Sequence, residues 1–221
     1  MIRKRFLYKL VLVIALIAAL FILTACSGKV QAKEPDFPSS EFVSSTELFG
    51  LYVPTGWSME EVVSGADLLM ANSETALARY RNENAFESGE LVLNIGFLPL
   101  ALFQEKELSH LGIQVEAPPD AFFQSLLPMF LLGDQPAEEA AGETELISLS
   151  DGRGAGILSL SEEGRDGLIL VFTAGKDVFA LVSATTFPGG LQEFQETILE
   201  VAAGVAYTGT QDALYSKLYG D

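Results

Sequence analysis

Alternation of apolar and polar residues predicts a series of short strands along this chain. The clearest one lies at residues 90–98, where four large apolar side chains occupy every second position from Leu91 to Phe97. Further strands are predicted at residues 47–53, 67–71, 145–149, 154–160, 167–173 and 178–185. Turn signals at Asp151-Gly152 and at residues 165–167 separate the later strands, so we expect them to form hairpins.

Helical periodicity is strongest at residues 191–203, where Leu191, Phe194, Ile198 and Val201 fall on one face and glutamates on the other. A short helical connector is predicted at residues 101–108. The pattern at residues 74–82 fits a helix or a strand, and it leaves both open. Strands followed by flanking helices predict an α+β fold with a mainly antiparallel sheet.

Another helix is predicted after Pro118-Pro119-Asp120, and Pro128 is expected to kink or end it. This segment is apolar on nearly every face, whereas a surface helix needs only one apolar stripe. Its large apolar residues form a possible surface for a partner or a ligand: Phe122, Phe123, Leu126, Leu127 and Phe130. The alternative is a helix that is buried on two sides within the domain.

The amino terminus has the layout of a signal peptide. Arg3, Lys4, Arg5 and Lys9 precede an apolar run at residues 10–23, and small residues follow. The run contains 14 residues, which is shorter than the roughly 20 that a membrane-spanning helix needs. We therefore expect residues 1–25 to be removed.

The residues Leu23, Thr24, Ala25 and Cys26 resemble a complete bacterial lipobox. In proteins with this motif, the peptide is cut before the cysteine and the thiol carries a diacylglycerol group. The resemblance implies that Cys26 is a lipid anchor on the extracytoplasmic face of the cell membrane. An uncleaved anchor helix is the alternative, and it places the domain on the same face.

Residues 26–45 contain Ser, Gly, Pro and charged residues with little periodicity, so they are predicted to be the lipidated cysteine and a flexible tether. Residues 46–221 are then a single globular domain. Loss of residues 1–25 removes four basic side chains and leaves nine basic against 30 acidic ones, a formal charge of −21. Such a charge argues against binding to nucleic acid.

The segment from Phe49 to Trp57 ends in Pro54-Thr55-Gly56-Trp57, and it resembles the opening strand of the PsbP-like family. Residues 178–185, followed by the helix at residues 194–205, look like the closing strand and helix of that family. The resemblance covers residues 47–207 and implies a PsbP-like α/β/α sandwich. It supports a fold more than a function, because one fold hosts many functions.

No catalytic constellation is recognisable. His110 is the only histidine, and no Gly-x-Ser-x-Gly motif accompanies it. The glycines of residues 151–156 lack the Lys-Ser/Thr of a phosphate-binding loop, so this segment is predicted to be a hairpin turn. A hydrolase that uses Glu60, Glu61 or Asp67 has no support beyond the presence of these carboxylates. We expect that the chain is not an enzyme and that it has no cofactor and no metal centre.

An acidic segment contains Asp134, Glu138, Glu139, Glu143 and Glu145, and carboxylate oxygens are the ligands that Ca²⁺ prefers. The spacing is not that of an EF-hand, so a solvated loop is the favoured interpretation. Calcium binding is left open.

The sequence therefore predicts a lipid-anchored extracytoplasmic protein that binds or stabilises a partner, most simply a membrane protein complex, without catalysis. The alternative is a carrier of a small ligand, a lipid or a metal, with a pocket between the sheet and the helices.

Overall fold

Antiparallel strand pairing organises the chain in this computed structural model, which describes residues 33–83, 85–101, 144–162 and 164–220. The strands are β1 (Ser39–Val43), β2 (Phe49–Pro54), β3 (Ser58–Val63), β4 (Asp67–Ala71), β5 (Leu91–Pro99), β6 (Thr144–Ser148), β7 (Gly154–Glu162), β8 (Arg165–Gly175), β9 (Val178–Thr186) and β10 (Ala206–Tyr207). In these residues, one sheet has the order β3-β4-β5-β9-β8-β7-β6 and a smaller one has the order β1-β2-β10. All of their pairings are antiparallel.

Helices lie on both faces of the larger sheet. They are α1 (Glu74–Glu83), α2 (Leu191–Ala203) and α3 (Gln211–Tyr219). Leu69 and Ala71 of β4 pack with Ala76 of α1, whereas the alternate residues Leu68 and Met70 point into the main core. Successive side chains of a strand point to opposite faces, so α1 covers one face and the main core lies on the other.

The main core is enclosed between the larger sheet and a layer that contains the smaller sheet and α2. Phe49 and Leu51 of β2 and Ile198 and Val201 of α2 pack in the same cluster as the alternating residues of β5. The predicted α+β fold, with a mainly antiparallel sheet flanked by helices, is confirmed.

The predicted boundary between tether and domain is wrong. Residues 39–43 were expected in the tether that ends at residue 45, but they form β1 and pair with β2. Pro35 is buried, Phe37 packs against the core and Lys33 forms an ion pair with Glu200. The folded part therefore includes the residues from Lys33 onward. The pattern of β1 is weak because most of its side chains face outward and Phe42 carries its contact with the core.

The structure resolves one element that the sequence pattern left ambiguous and contains two that the pattern did not predict. The ambiguous residues 74–82 are helical, and α1 begins after Ser73, whose Oγ accepts a hydrogen bond from the Ala76 N–H at 3.0 Å. Strand β3 was not predicted because its exposed residues do not alternate. Helix α3 was not predicted either, although Thr210 caps it by accepting a hydrogen bond from Ala213.

The hydroxyl group of Tyr207 is buried without a hydrogen-bond partner in the described part of the chain. The ring packs 5.0 Å from that of Phe97, and the residue is 3% exposed. Burial raises the pKa of Tyr207 to about 12, because the phenolate cannot be hydrated there.

We predict that Tyr207→Phe leaves stability unchanged or raises it by about 1 kcal/mol at pH 8, because it removes an unsatisfied hydroxyl. In the wild type, the buried neutral phenol contributes to the free energy of unfolding. This contribution is fully present below about pH 10, the pKa of tyrosine in the unfolded chain, and it is lost as the pH rises through about 12. This loss is about 2–3 kcal/mol and is absent in the variant. Urea unfolding followed by the fluorescence of Trp57, the single tryptophan, measures both effects. Equal alkaline losses in the two proteins would contradict the prediction.

Phe42→Ala tests where the domain begins. The Phe42 ring lies 6.0 Å from that of Phe49 and packs against the core. We expect a loss of about 1–3 kcal/mol in urea unfolding, as for a partly buried aromatic residue. Val43→Ala is the matched control, because Val43 is 51% exposed on the same strand. If residues 39–43 were only a tether, both variants would unfold like the wild type.

Candidate functional site

The turn between β6 and β7 positions an unusual arginine. The Leu149 N–H donates to the Arg153 carbonyl at 2.8 Å, and the Gly152 N–H donates to Leu149 at 2.9 Å. Gly152 has a φ of 88°, a conformation that favours glycine. The Asp151 carboxylate accepts the Arg153 N–H at 3.1 Å. The prediction of a hairpin turn at residues 151–156 is confirmed.

The side chain of Arg153 then crosses to the carboxyl end of α2. Its Nη1 donates to the carbonyls of Thr173 and Val205, each at 3.0 Å. Its Nη2 donates to those of Ala202 at 3.3 Å and Ala203 at 2.8 Å. Its Nε donates to the Asp151 carboxylate in an ion pair. A guanidinium has five N–H groups, so every donor is used. We call this set of contacts the Arg153 clamp.

The Arg153 clamp holds a charge that is largely out of water. The side chain is 14% exposed and lies over the Phe172 ring at 4.9 Å. Burial lowers the pKa of Arg153 below its ordinary value, and the Asp151 carboxylate partly offsets this effect. The carbonyls of a helix end carry partial negative charge, so they stabilise the buried cation. The clamp fixes the β6–β7 turn to α2.

A groove of about 470 Å³ opens between these two elements. Its described lining consists of Ser148, Leu149, Ser150, Gln192, Gln195, Glu196, Leu199 and Glu200. Hydroxyls therefore line one wall, and the amides and carboxylates of α2 line the other. None of these lining residues is positively charged.

Glu200 is a partly buried polar residue of the groove. Its Oε2 atom is buried and accepts no hydrogen bond from the described residues. Oε2 forms an ion pair with Lys33, whose Nζ lies 3.8 Å away. This ion pair joins the start of the described chain to the end of α2. Glu196 lies one helical turn before it and is exposed.

A smaller depression of about 170 Å³ lies on the larger sheet beside β7, β8 and β9. Gly167 and the short side chains of Ser183 and Ala184 contribute to its lining. Its volume is smaller than that of the groove.

The carboxylates that a hydrolase would use do not form a pair. Glu60 binds Arg81 at 2.5 Å, and Glu61, the next residue on β3, faces the opposite side of the strand. Burial raises the pKa of Glu61, but hydrogen bonds from Ser45 and Gly65 outweigh it and leave the pKa below its ordinary value. Burial raises the pKa of Asp67.

Most other residues singled out from the sequence lie outside the described residues. These are Leu23, Thr24, Ala25, Cys26, His110, Phe122, Phe123, Leu126, Leu127, Phe130, Asp134, Glu138, Glu139 and Glu143. Glu145 is described, and it is exposed on β6. In the part of the chain with described positions, no three His, Cys, Asp or Glu side chains converge as metal ligands. Nor does any helix there have the length and apolar character needed to cross a bilayer.

Sequence reasoning missed the Arg153 clamp and the groove. Arg153 was included in the predicted turn, but the pattern gave its side chain no role. A basic residue inside a tight turn of a strongly acidic chain is the only signal, and it does not identify the helix end that the side chain reaches.

Comparison with known proteins finds similarity only to solved structures. No family model matches the chain, and no curated protein matches its sequence. The solution structure of cyanobacterial PsbP from Synechocystis sp. PCC 6803 is similar at 15% identity and a TM-score of 0.40, over 77% of this chain and 92% of that one. LpqN of Mycobacterium tuberculosis, involved in cell envelope biogenesis, is similar at 13% identity and a TM-score of 0.35, over 79% and 87%.

A crystal structure from Bacteroides thetaiotaomicron is similar at 14% identity and a TM-score of 0.42. The match covers 78% of this chain and 50% of that one, so this chain spans about half of that protein. A PsbP protein is thus among the similar solved structures, and the resemblance of residues 49–57 to the PsbP-like family stays a prediction. TM-scores at this level carry no argument about function, and the fold class rests on the strand pairing described above.

We predict that Arg153→Met destabilises the protein by about 3–5 kcal/mol, because it leaves four carbonyls and the Asp151 carboxylate without their donor. Arg153→Lys is expected to lose less, since an ammonium group keeps three donors. Lys176→Met is the control, because Lys176 is exposed in the β8–β9 turn. Urea unfolding measures all three, and a loss below about 1 kcal/mol for Arg153→Met would contradict the role of the clamp.

Proposed function

We propose that this chain is a lipid-anchored extracytoplasmic protein that binds or stabilises a membrane protein complex without catalysis. The observation that carries the proposal is the short connection between the lipobox and the folded domain. Lys33 belongs to the folded part, and seven peptide steps separate it from Cys26. A chain of this length spans at most about 25 Å, so a lipid on Cys26 keeps the domain beside the membrane.

The described chemistry supports binding rather than catalysis. The groove combines hydroxyl, amide and carboxylate groups, which suit recognition of a polar partner. The carboxylates of β3 are engaged separately with Arg81 and with backbone N–H groups. A charge of −21 after removal of the leader also disfavours close contact of the domain with anionic headgroups.

A carrier of a small ligand is the second candidate, because the volume of the groove is typical of ligand pockets. Such pockets are lined mainly by apolar and aromatic residues, whereas Leu149 and Leu199 are the apolar residues of this described lining. The polar lining therefore favours a protein partner. A native mass spectrum that shows a bound lipid, metal or small molecule would favour the carrier.

We predict that the mass of the protein isolated from membranes equals that of residues 26–221 plus attached acyl groups. Cys26→Ser is expected to retain residues 1–25 and to carry no lipid, because the thiol that accepts the diacylglycerol is gone. Ser27→Ala is the control and should be processed like the wild type. Intact-mass spectrometry measures all three. An unprocessed and unmodified wild-type chain would contradict the lipid anchor.

Crosslinking in intact cells tests the partner. We expect the wild type to yield a reproducible crosslinked membrane protein. The yield should fall in a variant whose residues 1–26 are replaced by the signal peptide of a secreted protein, since that variant is exported but lacks the anchor. Absence of any reproducible partner would contradict the proposed function.

A further inference from the structure

The larger sheet carries an apolar patch on the same face as α1. Along β7, β8 and β9, side chains point alternately into the main core and toward this face. The strand register pairs Leu158 with Ile169 and Val171 with Leu181, in two neighbouring rows on this face. We call these four residues the outer patch. Its members are buried or half-buried, and Val171 is 0% exposed.

None of the three described helices accounts for this burial. The buried residue of α1, Ala76, packs with Leu69, Ala71 and Val92 at the β4 side of the sheet. The buried residues of α2 and α3 belong to the main core on the opposite face. The outer patch belongs to neither of these two clusters of described residues. Another part of the chain therefore has to cover it.

The strand order restricts the route of the connection from β5 to β6. These two strands are separated by β9, β8 and β7, and four successive antiparallel pairings make them parallel to each other. Parallel strands of one sheet need a crossover connection. The core face is filled by the smaller sheet and α2, so the route that remains runs over the outer patch.

Residues 102–143 lie in this connection, between Ala101 and Thr144 of β6. A connection of 42 residues without an element of its own is uncommon in a compact domain. The helix that the sequence predicts after Pro118-Pro119-Asp120 has 12 residues up to Leu132, which gives a length of about 18 Å. It is long enough to span β7, β8 and β9, which cover about 10 Å. Its large apolar side chains suit an apolar sheet face: Phe122, Phe123, Leu126, Leu127 and Phe130.

The residues before Lys33 are a poorer occupant. A Cβ atom at Gly204, directly after α2, would lie 3.3 Å from the Lys33 carbonyl oxygen. Because α2 packs on the core face, Lys33 lies on the side opposite to the outer patch. Seven residues, 26–32, precede Lys33 after the predicted cleavage. The segment that fits the patch is therefore the one between β5 and β6.

We propose that residues 121–132 cover the outer patch and pack their apolar side chains on β7, β8 and β9. The domain then has three layers, with this segment and α1 on one face of the larger sheet and the smaller sheet and α2 on the other. The apolar segment is thus part of the interior, and a partner has to bind elsewhere. This inference does not depend on the lipid anchor.

A diazirine-bearing amino acid in place of Leu181 tests the occupant in the purified full-length protein in detergent. We expect crosslinks to residues 121–132 of the same chain, mapped by mass spectrometry on a mixture of isotopically light and heavy chains. The same label in place of Met59, which is 40% exposed on the edge strand β3, should not reach this segment. Crosslinks from position 181 only to detergent, to a second copy or to other parts of the chain would overturn the proposal.

The reciprocal label in place of Leu126 distinguishes an internal segment from a partner surface in intact cells. We expect crosslinks to β7, β8 or β9 of the same chain. Crosslinks to another protein or to lipid instead would overturn the proposal and would favour residues 121–132 as a surface for a partner.

Leu126→Ala tests the burial of the segment by urea unfolding. We expect the equilibrium constant for unfolding to rise by about thirtyfold or more, as for truncation of a buried leucine. Leu126→Met conserves volume and should change this constant less. Val62→Ala is the control, because Val62 is 51% exposed, and it should change the constant by less than about threefold. An equally small change for Leu126→Ala would overturn the proposal.

Discussion

The guanidinium of Arg153 joins parts of the chain that are about 20 to 50 residues apart in sequence. It binds carbonyls at the end of α2 and in β8 while Asp151 in its own turn neutralises it. A buried cation with five filled donors permits little displacement, because any shift leaves a donor or a carbonyl unpaired. The two walls of the groove are the elements that this contact joins, so the shape of the groove depends on it.

The larger sheet provides the support on which this contact is built. Its strands bury alternate side chains on both faces, with α1 on one face and the smaller sheet and α2 on the other. Gly175 and Tyr207 approach so closely that a Cβ at Gly175 would lie 2.5 Å from the Tyr207 carbonyl. This close approach brings β10 against β8 and places the segment after α2 where Arg153 reaches it.

The elements that face the core could be predicted from sequence, because burial imposes a period of two on strands such as β5 and of 3.6 on α2. Elements that bury few side chains carry weak patterns. Strand β3 and strand β1 are mostly exposed and were missed, and β1 was assigned to the tether. Helix α3 buries only Leu214, so its start is marked by the Thr210 cap alone.

The sequence by itself determined the acidic charge, the lipobox motif, the hairpin at Asp151-Gly152 and the strand periodicity that predicted the fold class. Composition, short motifs and periodicity can be read along the chain without knowledge of which distant segments pair. The tertiary structure decided that Lys33 lies beside Glu200 and that Arg153 binds the end of α2. It also decided that a polar groove opens between α2 and the β6–β7 turn. These features join residues about 50 to 170 positions apart. Local periodicity contains no information on such pairings, which arise only when strand order and helix packing bring the segments together.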